Sequence, residues 1–314
     1  VPEPSNIDGD RPAPVARQEV SATATSPVAA RLTPPGAGER AGWALPILLA
    51  VVVLVVGYLL FVRGGDQQHK PPATPLSVVA VDLSSLPVSN TRATIKAAPR
   101  NSESRRAPSG AKNGRTVVVH PTRAAPVFDA PDGTAFAKVK PRQYGDLWLP
   151  VIGRSDVMKG EEGGWVRVLL PSRPNRSTGW LRLGDGLQEA YTRHLVRIYL
   201  GSRRLELLKD GQPVGSWLVA IGAPATPTPL GRTFILGQFV DEDQKFSPVI
   251  LPLGAHSKTL DSYGGGPGTV ALHGWSDATV FGKAVSHGCV RVPDDALRAL
   301  RVVPLGTPVL IDKS

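Results

Sequence analysis

The sequence predicts a mainly β protein in which two regions of short strands follow one apolar span and a basic linker. Three observations predict it. Short runs of alternating apolar and polar residues recur from Thr116 to Asp312, broken by Gly, Pro, Asn and Asp clusters. Only one segment of that stretch, "PDDALRAL" (293–300), has helical spacing together with a start signal. A run of 20 residues, Trp43 to Val62, has no charged side chain at all.

Taken in order, residues 1–42 are rich in Pro, Ala, Thr and Ser without apolar periodicity and read as a disordered tail. The run "WALPILLAVVVLVVGYLLFV" (43–62) rises ~1.5 Å per residue as a helix, about 30 Å in all, the thickness of a bilayer's hydrocarbon core. Arg40 and Arg63 bracket it, and Trp43 and Tyr58 suit the interfaces, so it reads as one transmembrane helix rather than a cleaved signal. Residues 63–115 hold nine basic and three acidic side chains, a net of +6 out of the chain's +10. Their Pro, Ser and Thr content predicts a flexible linker with an r.m.s. span of ~40 Å. It lacks the interleaved aromatics that hold bases, which argues against a nucleic-acid groove. A diffuse anionic surface, such as a membrane face or an acidic wall polymer, is its natural partner.

From Thr116 the pattern changes. "TVVVH" (116–120), "AKVK" (137–140), "WVRVLLP" (165–171) and "GWLRL" (179–183) read as strands, separated by the turn clusters "APDG", "EEGG" and "PSRPNRSTG". Residues 116–188 thus form a small β-barrel or sandwich, with Trp148, Trp165 and Trp180 expected to supply much of its core. No cluster of catalytic residue types falls there, so a passive spacer and a wall- or partner-binding module are both open. In residues 189–314, "LVRIYL", "RRLELL" and "VGSWLVAIG" predict a three-strand meander with a hairpin turn at "KDGQ" (209–212). "RTFILGQFV", "GTVALHG" and "TPVLID" add strands, and Ala296, Leu297 and Leu300 share one face of the predicted helix.

The chain's single cysteine lies in "VSHGCVR" (285–291), so no intrachain disulfide is possible. His287 is two residues before it, and His273 ends an apolar strand sixteen residues before it, which lets a strand-end imidazole and a loop thiol meet. A thiol must ionise to attack, and a neighbouring imidazolium or a set of backbone N–H groups favours the thiolate. Gly288 permits a tight turn, and the N–H groups of His287, Gly288 and Cys289 are candidates for an oxyanion hole. A buried inert Cys and a zinc site on His273, His287 and Cys289 are the competing readings; no fourth ligand has a convincing spacing. "GGGPG" (264–268) lacks the Lys-Ser/Thr of a phosphate loop and reads as a flap beside the site.

"ALHGW" followed by "SHGCVRV" closely resembles the YkuD-type L,D-transpeptidase catalytic domain, across roughly residues 193–313. "PVFDAPDG" and "GWVRVLLPSRPNRSTGWLR" resemble the SH3-like domain that precedes the catalytic domain in some anchored members. The resemblance implies a β-sandwich-like catalytic domain with a short helix, preceded by an SH3-like β-barrel and the membrane helix. It implies Cys289 as nucleophile, His273 as the imidazole that activates it, and His287 and Gly288 as the oxyanion side. Ser286 and Arg291 would frame the loop or contact substrate, and His256 and Tyr263 would border the substrate cleft. Gly274 stands where some members have Ser, so a backbone carbonyl is the alternative holder of the imidazole. The implied reaction joins meso-diaminopimelate residues of peptidoglycan stem peptides through a cysteine thioester, without metal or organic cofactor, on the outer face of a bacterial membrane. Carbapenem β-lactams are implied inhibitors. An L,D-carboxypeptidase with the same Cys and His, and a catalytically inactive wall-binding protein, are the alternatives.

Overall fold

The computed structural model describes residues 81–100, 114–155, 164–184, 186–263 and 265–314, all within one unit of the chain. The disordered tail and the transmembrane helix expected over 1–62 lie outside the described residues. Among those described, no helix is long and apolar enough to cross a membrane.

The first region contains β1 (Thr116–Pro121), β2 (Ala125–Phe128), β3 (Ala135–Val139), β4 (Leu149–Ser155), β5 (Trp165–Leu169), β6 (Thr178–Arg182) and β7 (Leu187–Thr192). They form one antiparallel sheet in the order β3-β2-β6-β5-β4-β1-β7. Because β7 pairs with β1 along its whole length, the first region runs to Thr192, past the boundary at 188 that the sequence suggests. Its core is aliphatic, built on Val119, Val127, Val139, Leu149, Val166, Val168 and Leu181. Of the three tryptophans expected inside, only Trp165 is buried. The β-strand period explains Trp180: Gly179 and Leu181 face inward on β6, and a Cβ at 179 would strike Val127, so the intervening Trp180 is turned to the other face.

The second region contains β8 (His194–Tyr199), β9 (Arg204–Lys209), β10 (Gln212–Leu218), β11 (Ile221–Gly222), β12 (Gly231–Phe234), β13 (Ile250–His256), β14 (Thr269–Gly274), β15 (Ala284–Ser286), β16 (Val290–Val292), α1 (Asp294–Leu300) and β17 (Pro308–Asp312). A five-stranded sheet, β10-β9-β8-β17-β12, and a three-stranded sheet, β13-β14-β16, enclose the core, and β11 pairs with β15. The meander forms as expected. Its turn has positive φ at both Asp210 and Gly211, the geometry that a two-residue hairpin requires. α1 opens with Asp294 and Asp295 in its first turn and buries Ala296, Leu297 and Leu300.

Two features bind the regions together. Residues 234–236 alternate between two cores: Phe234 and Leu236 pack into that of the first region, whereas Ile235 packs into that of the second. The second feature corrects an expectation. Residues 81–100, which the sequence places in the flexible linker, lie along the first sheet. Val88 bridges to Lys138, Thr94 to Arg173 and Arg100 to Ser177, and Ile95 and Ala98 enter the core.

A shared core predicts shared melting. Calorimetry of the described chain, residues 81–314, should show one transition. Phe234→Ala should move that whole transition down, at a cost of about 3–5 kcal/mol. Two transitions, with only one shifted by the substitution, would contradict the shared core.

Candidate active site

β14 and β16 run parallel, with Leu272 opposite Val290 and His273 opposite Arg291. The period of two then sorts the side chains. Val270, Leu272, Val290 and Val292 are buried in the core. Ala271, His273, Cys289 and Arg291 share the opposite face. Cys289 sits just before β16, on the face that carries Ala271 and His273. His273 is two residues further along β14, on the same face as the thiol.

Tautomer and charge follow from the surroundings. His273 Nδ1 lies 2.7 Å from the carbonyl oxygen of Gly274. A carbonyl only accepts, so Nδ1 carries the hydrogen and Nε2 keeps its lone pair. Burial pushes His273 down from its ordinary 6.5 to about 4; the bond to Gly274 opposes this shift and the Arg291 charge adds to it. Burial also pushes the Cys289 thiol above its ordinary 9.0, while the Ala271 N–H and Arg291 pull the other way. At neutral pH the face therefore carries a thiol and a neutral imidazole. This differs from the thiolate facing an imidazolium that the sequence invites, because both groups are desolvated.

The loop around the thiol is held by its own atoms. Ser286 is buried, donates its hydroxyl hydrogen to the Cys289 carbonyl and accepts the Gly288 N–H at 3.1 Å. Gly288 has φ of +115°, a region that side-chain-bearing residues avoid. Segment 223–228 cradles the same loop: Ala223 N–H and Thr226 Oγ1 donate to the Ser286 carbonyl, and Thr228 Oγ1 donates to that of Gly288. Ser286 is thus turned into the loop and not towards a substrate.

The remaining sequence candidates divide. Gly274 holds His273 through its carbonyl, while its N–H donates to Ser247 Oγ at 2.8 Å. Arg291 lies with its guanidinium carbon 3.5 Å from the centroid of the Trp275 ring, and its Nε has no hydrogen-bond partner among the described residues. Exposed His287 stacks on Tyr263 with ring centroids 5.2 Å apart and does not join His273 and Cys289 in a ligand cluster. No group of His, Cys, Asp and Glu able to hold a metal ion gathers among the described residues. His256 overturns its expectation as a cleft residue. It is 1% exposed, at the far end of β13, where it pairs with Thr269 rather than lying opposite His273 as Ile250 does. Its Nε2 bonds to the Thr91 carbonyl at 2.9 Å.

Sequence reasoning missed Ser247, Phe246, Thr226 and Thr228. Phe246 meets the His273 ring edge-on at 4.9 Å, and with Trp275 it walls the imidazole from water. Only the Thr-Pro alternation of "ATPTP" hinted at a built loop, and nothing local marked Ser247.

A strand-borne neutral imidazole and a loop thiol on one sheet face define a cysteine–histidine site on a β-sandwich-like domain. The family model of the YkuD L,D-transpeptidase catalytic domain matches residues 193–311, which supports such a domain there. Two relatives described as putative L,D-transpeptidase YkuD point the same way. The one from Bacillus subtilis is 28% identical over 153 residues, and the one from Bacillus licheniformis 29% over 152. Each alignment takes in 46% of this chain and 85% of the relative. Among solved structures, L,D-transpeptidase 3 from Mycobacterium tuberculosis in complex with a faropenem-derived adduct is 14% identical, with a TM-score of 0.34 over 52% of this chain and 98% of that one. The L,D-transpeptidase from Xylanimonas cellulosilytica is 26% identical, with a TM-score of 0.29 over 38% and 60% of the two chains.

Two pH dependences follow. His256 and His273 are both held down to about 4, so the folded protein binds fewer protons than the unfolded one between 6.5 and 4. The stability they confer is complete above 6.5 and lost as pH falls towards 4; thermal midpoints should drop across that window. His256→Gln should flatten part of the drop, and an unchanged slope would remove His256 from the account. For the thiol, iodoacetamide modification of folded protein should still be accelerating at pH 9.0, because the Cys289 ionisation lies higher. A rate plateau below pH 8 would instead indicate a preformed thiolate.

Proposed function

We propose that the protein is a peptidoglycan L,D-transpeptidase in which Cys289 is the nucleophile and His273 the general base. The observation that carries the reading is the unprotonated Nε2 of a neutral His273 on the face that bears the thiol. In the acylation half, the Cys289 proton moves to Nε2 as sulfur attacks the carbonyl of the meso-diaminopimelate at the third position of a tetrapeptide stem. The Nδ1–H bond to the Gly274 carbonyl steadies the imidazolium that results. The oxyanion falls to the N–H groups of His287 and Cys289, because that of Gly288 already donates to Ser286. The carbon–nitrogen bond to the terminal D-Ala breaks, and His273 returns its proton to the leaving amine. In the second half, the side-chain amine of another stem's diaminopimelate gives a proton to His273 and attacks the thioester, and sulfur leaves as the thiol. The thioester conserves the acylating potential of the broken peptide bond, so no nucleotide is required.

The finer setting belongs to the same proposal. Residues 43–62 anchor the chain in a bacterial membrane, 116–192 is an SH3-like module, and the second region works on the wall side. The net +4 over 63–80 and 101–115, outside the strap, suits a search through anionic polymer. Cys289 is acylated by carbapenems on this reading.

Incubation with tetrapeptide stems and muropeptide mass spectrometry should show cross-linked dimers and released D-Ala. Cys289→Ser should abolish both, and His273→Gln should slow them by about 10²–10⁴-fold with the fold retained. Tripeptides without dimers would make the protein a carboxypeptidase. Wild-type rates in His273→Gln would end its assignment as base.

A further inference from the structure

We propose that Arg173, on the turn between β5 and β6 of the first region, is a positioning residue for the loop that places Tyr263 against His287, two residues before Cys289. The functional consequence rests on the reading above; the geometry does not. The Arg173 backbone is fixed on both sides by the strap at 81–100, with its N–H donating to Ala93 at 2.9 Å and its carbonyl accepting from Ile95 at 2.8 Å. From there its Nη2 donates to the carbonyls of Pro267 at 2.6 Å and Asp261 at 3.2 Å. These two carbonyls lie on either side of Tyr263 in sequence.

The loop's other holds are its own: Ser257 Oγ accepts the N–H groups of Thr259 and Leu260 in its first turn. Ser257 N–H closes its base on the Gly268 carbonyl, and Tyr263 and Gly266 exchange backbone hydrogen bonds at its tip. Tyr263 itself is 55% exposed, so no core anchors it. Its ring is stacked on His287, with the hydroxyl 3.5 Å from Nδ1. A guanidinium bonded to two carbonyls is a charge-assisted brace across such a loop. Asn175 grips the adjoining strand end in the same way. Its amide accepts from His256 N–H at 2.8 Å and donates to the His256 carbonyl at 2.7 Å, extending β13 as a paired strand would. The turn of the first region therefore supplies two side chains that fix where the Tyr263 loop begins and how it crosses the active face. The first region is then neither a passive spacer nor only a binding module. It sets the cleft wall that a peptide acyl donor must pass, whereas a small electrophile reaches the thiol without meeting that wall.

The test uses the intact chain, with Arg173→Met, which keeps the apolar stem and removes the donors. The first readout needs no activity. NMR of the His287 ring protons should report the Tyr263 ring current in the wild type, and Arg173→Met should shift them to where Tyr263→Leu puts them. The second readout is KM for the tetrapeptide, which should rise about tenfold in Arg173→Met with kcat nearly unchanged. Iodoacetamide modification of Cys289 should stay within about twofold, since the thiol's own surroundings are intact. In the Tyr263→Leu background the Arg173 substitution should add little to KM, as expected when one residue acts through the other. Wild-type His287 shifts in Arg173→Met would overturn the proposal. So would equal losses of peptide turnover and iodoacetamide reactivity together with a lowered melting point, which would mark a role in folding alone. A wild-type protein that turns over no peptide would sink the transpeptidase reading, while the His287 shifts would still decide the placement of the loop.

Discussion

The parallel pairing of β14 with β16 is the constraint on which the rest of the site depends. Setting Leu272 against Val290 sends four branched apolar side chains into the core. The same alternation leaves Ala271, His273, Cys289 and Arg291 with one outer face to share. A slip of one residue in β16 would turn Arg291 towards the core and Val290 and Val292 away from it. The hydrophobic effect that stabilises the sheet is therefore also what fixes the reactive face. Chemistry and packing are two readings of one register.

Around that face the supporting parts act through backbone groups. Gly274 offers its carbonyl to His273 and its N–H to Ser247, so the imidazole is oriented without a carboxylate. A carboxylate there would add a negative charge and raise the affinity of the ring for protons. A carbonyl orients the ring through a neutral acceptor and leaves it uncharged at neutral pH. Ser286 and Thr228 work in the same manner on the thiol loop. Each hydroxyl satisfies peptide groups that a sharp turn, with Gly288 at positive φ, takes out of regular pairing.

How much of this the sequence disclosed depends on the range of the interaction. The meander, the turn at Asp210–Gly211 and helix α1 are local, and periodicity and turn chemistry gave them correctly. The pairing of His273 with the Cys289 loop was also legible, because the motif keeps both in one short stretch. What escaped was set by distant partners. Trp148 and Trp180 looked like core residues on hydrophobicity alone, yet the inward positions went to Gly179 and Leu181. Residues 81–100 looked like linker because their apolar side chains are few and irregularly spaced. Ile95 and Ala98 still find places in a core that other segments build. His256 looked like a cleft residue by its position relative to the motif. Its environment is decided by Thr91 and Asn175, both more than 80 positions away in the chain.

His256 also shows why the two regions act together. It is buried and neutral: burial first and the nearby Arg173 charge second hold it down to about 4, against the bond from its Nε2 to the Thr91 carbonyl of the strap, which favours the protonated ring. His273 is neutral for the same primary reason, burial. One neutral histidine thus lies in the seam between the regions and the other on the face that carries Cys289. Acidification opposes both at once, through desolvation at two sites with no direct contact. The seam is also where Arg173 and Asn175 leave the first region to hold the second. Loosening the seam would release the Pro267, Asp261 and His256 backbone groups that these two side chains hold. Packing residues 234–236 between the two cores, with Phe234 on one side and Ile235 on the other, is the structural form of that coupling.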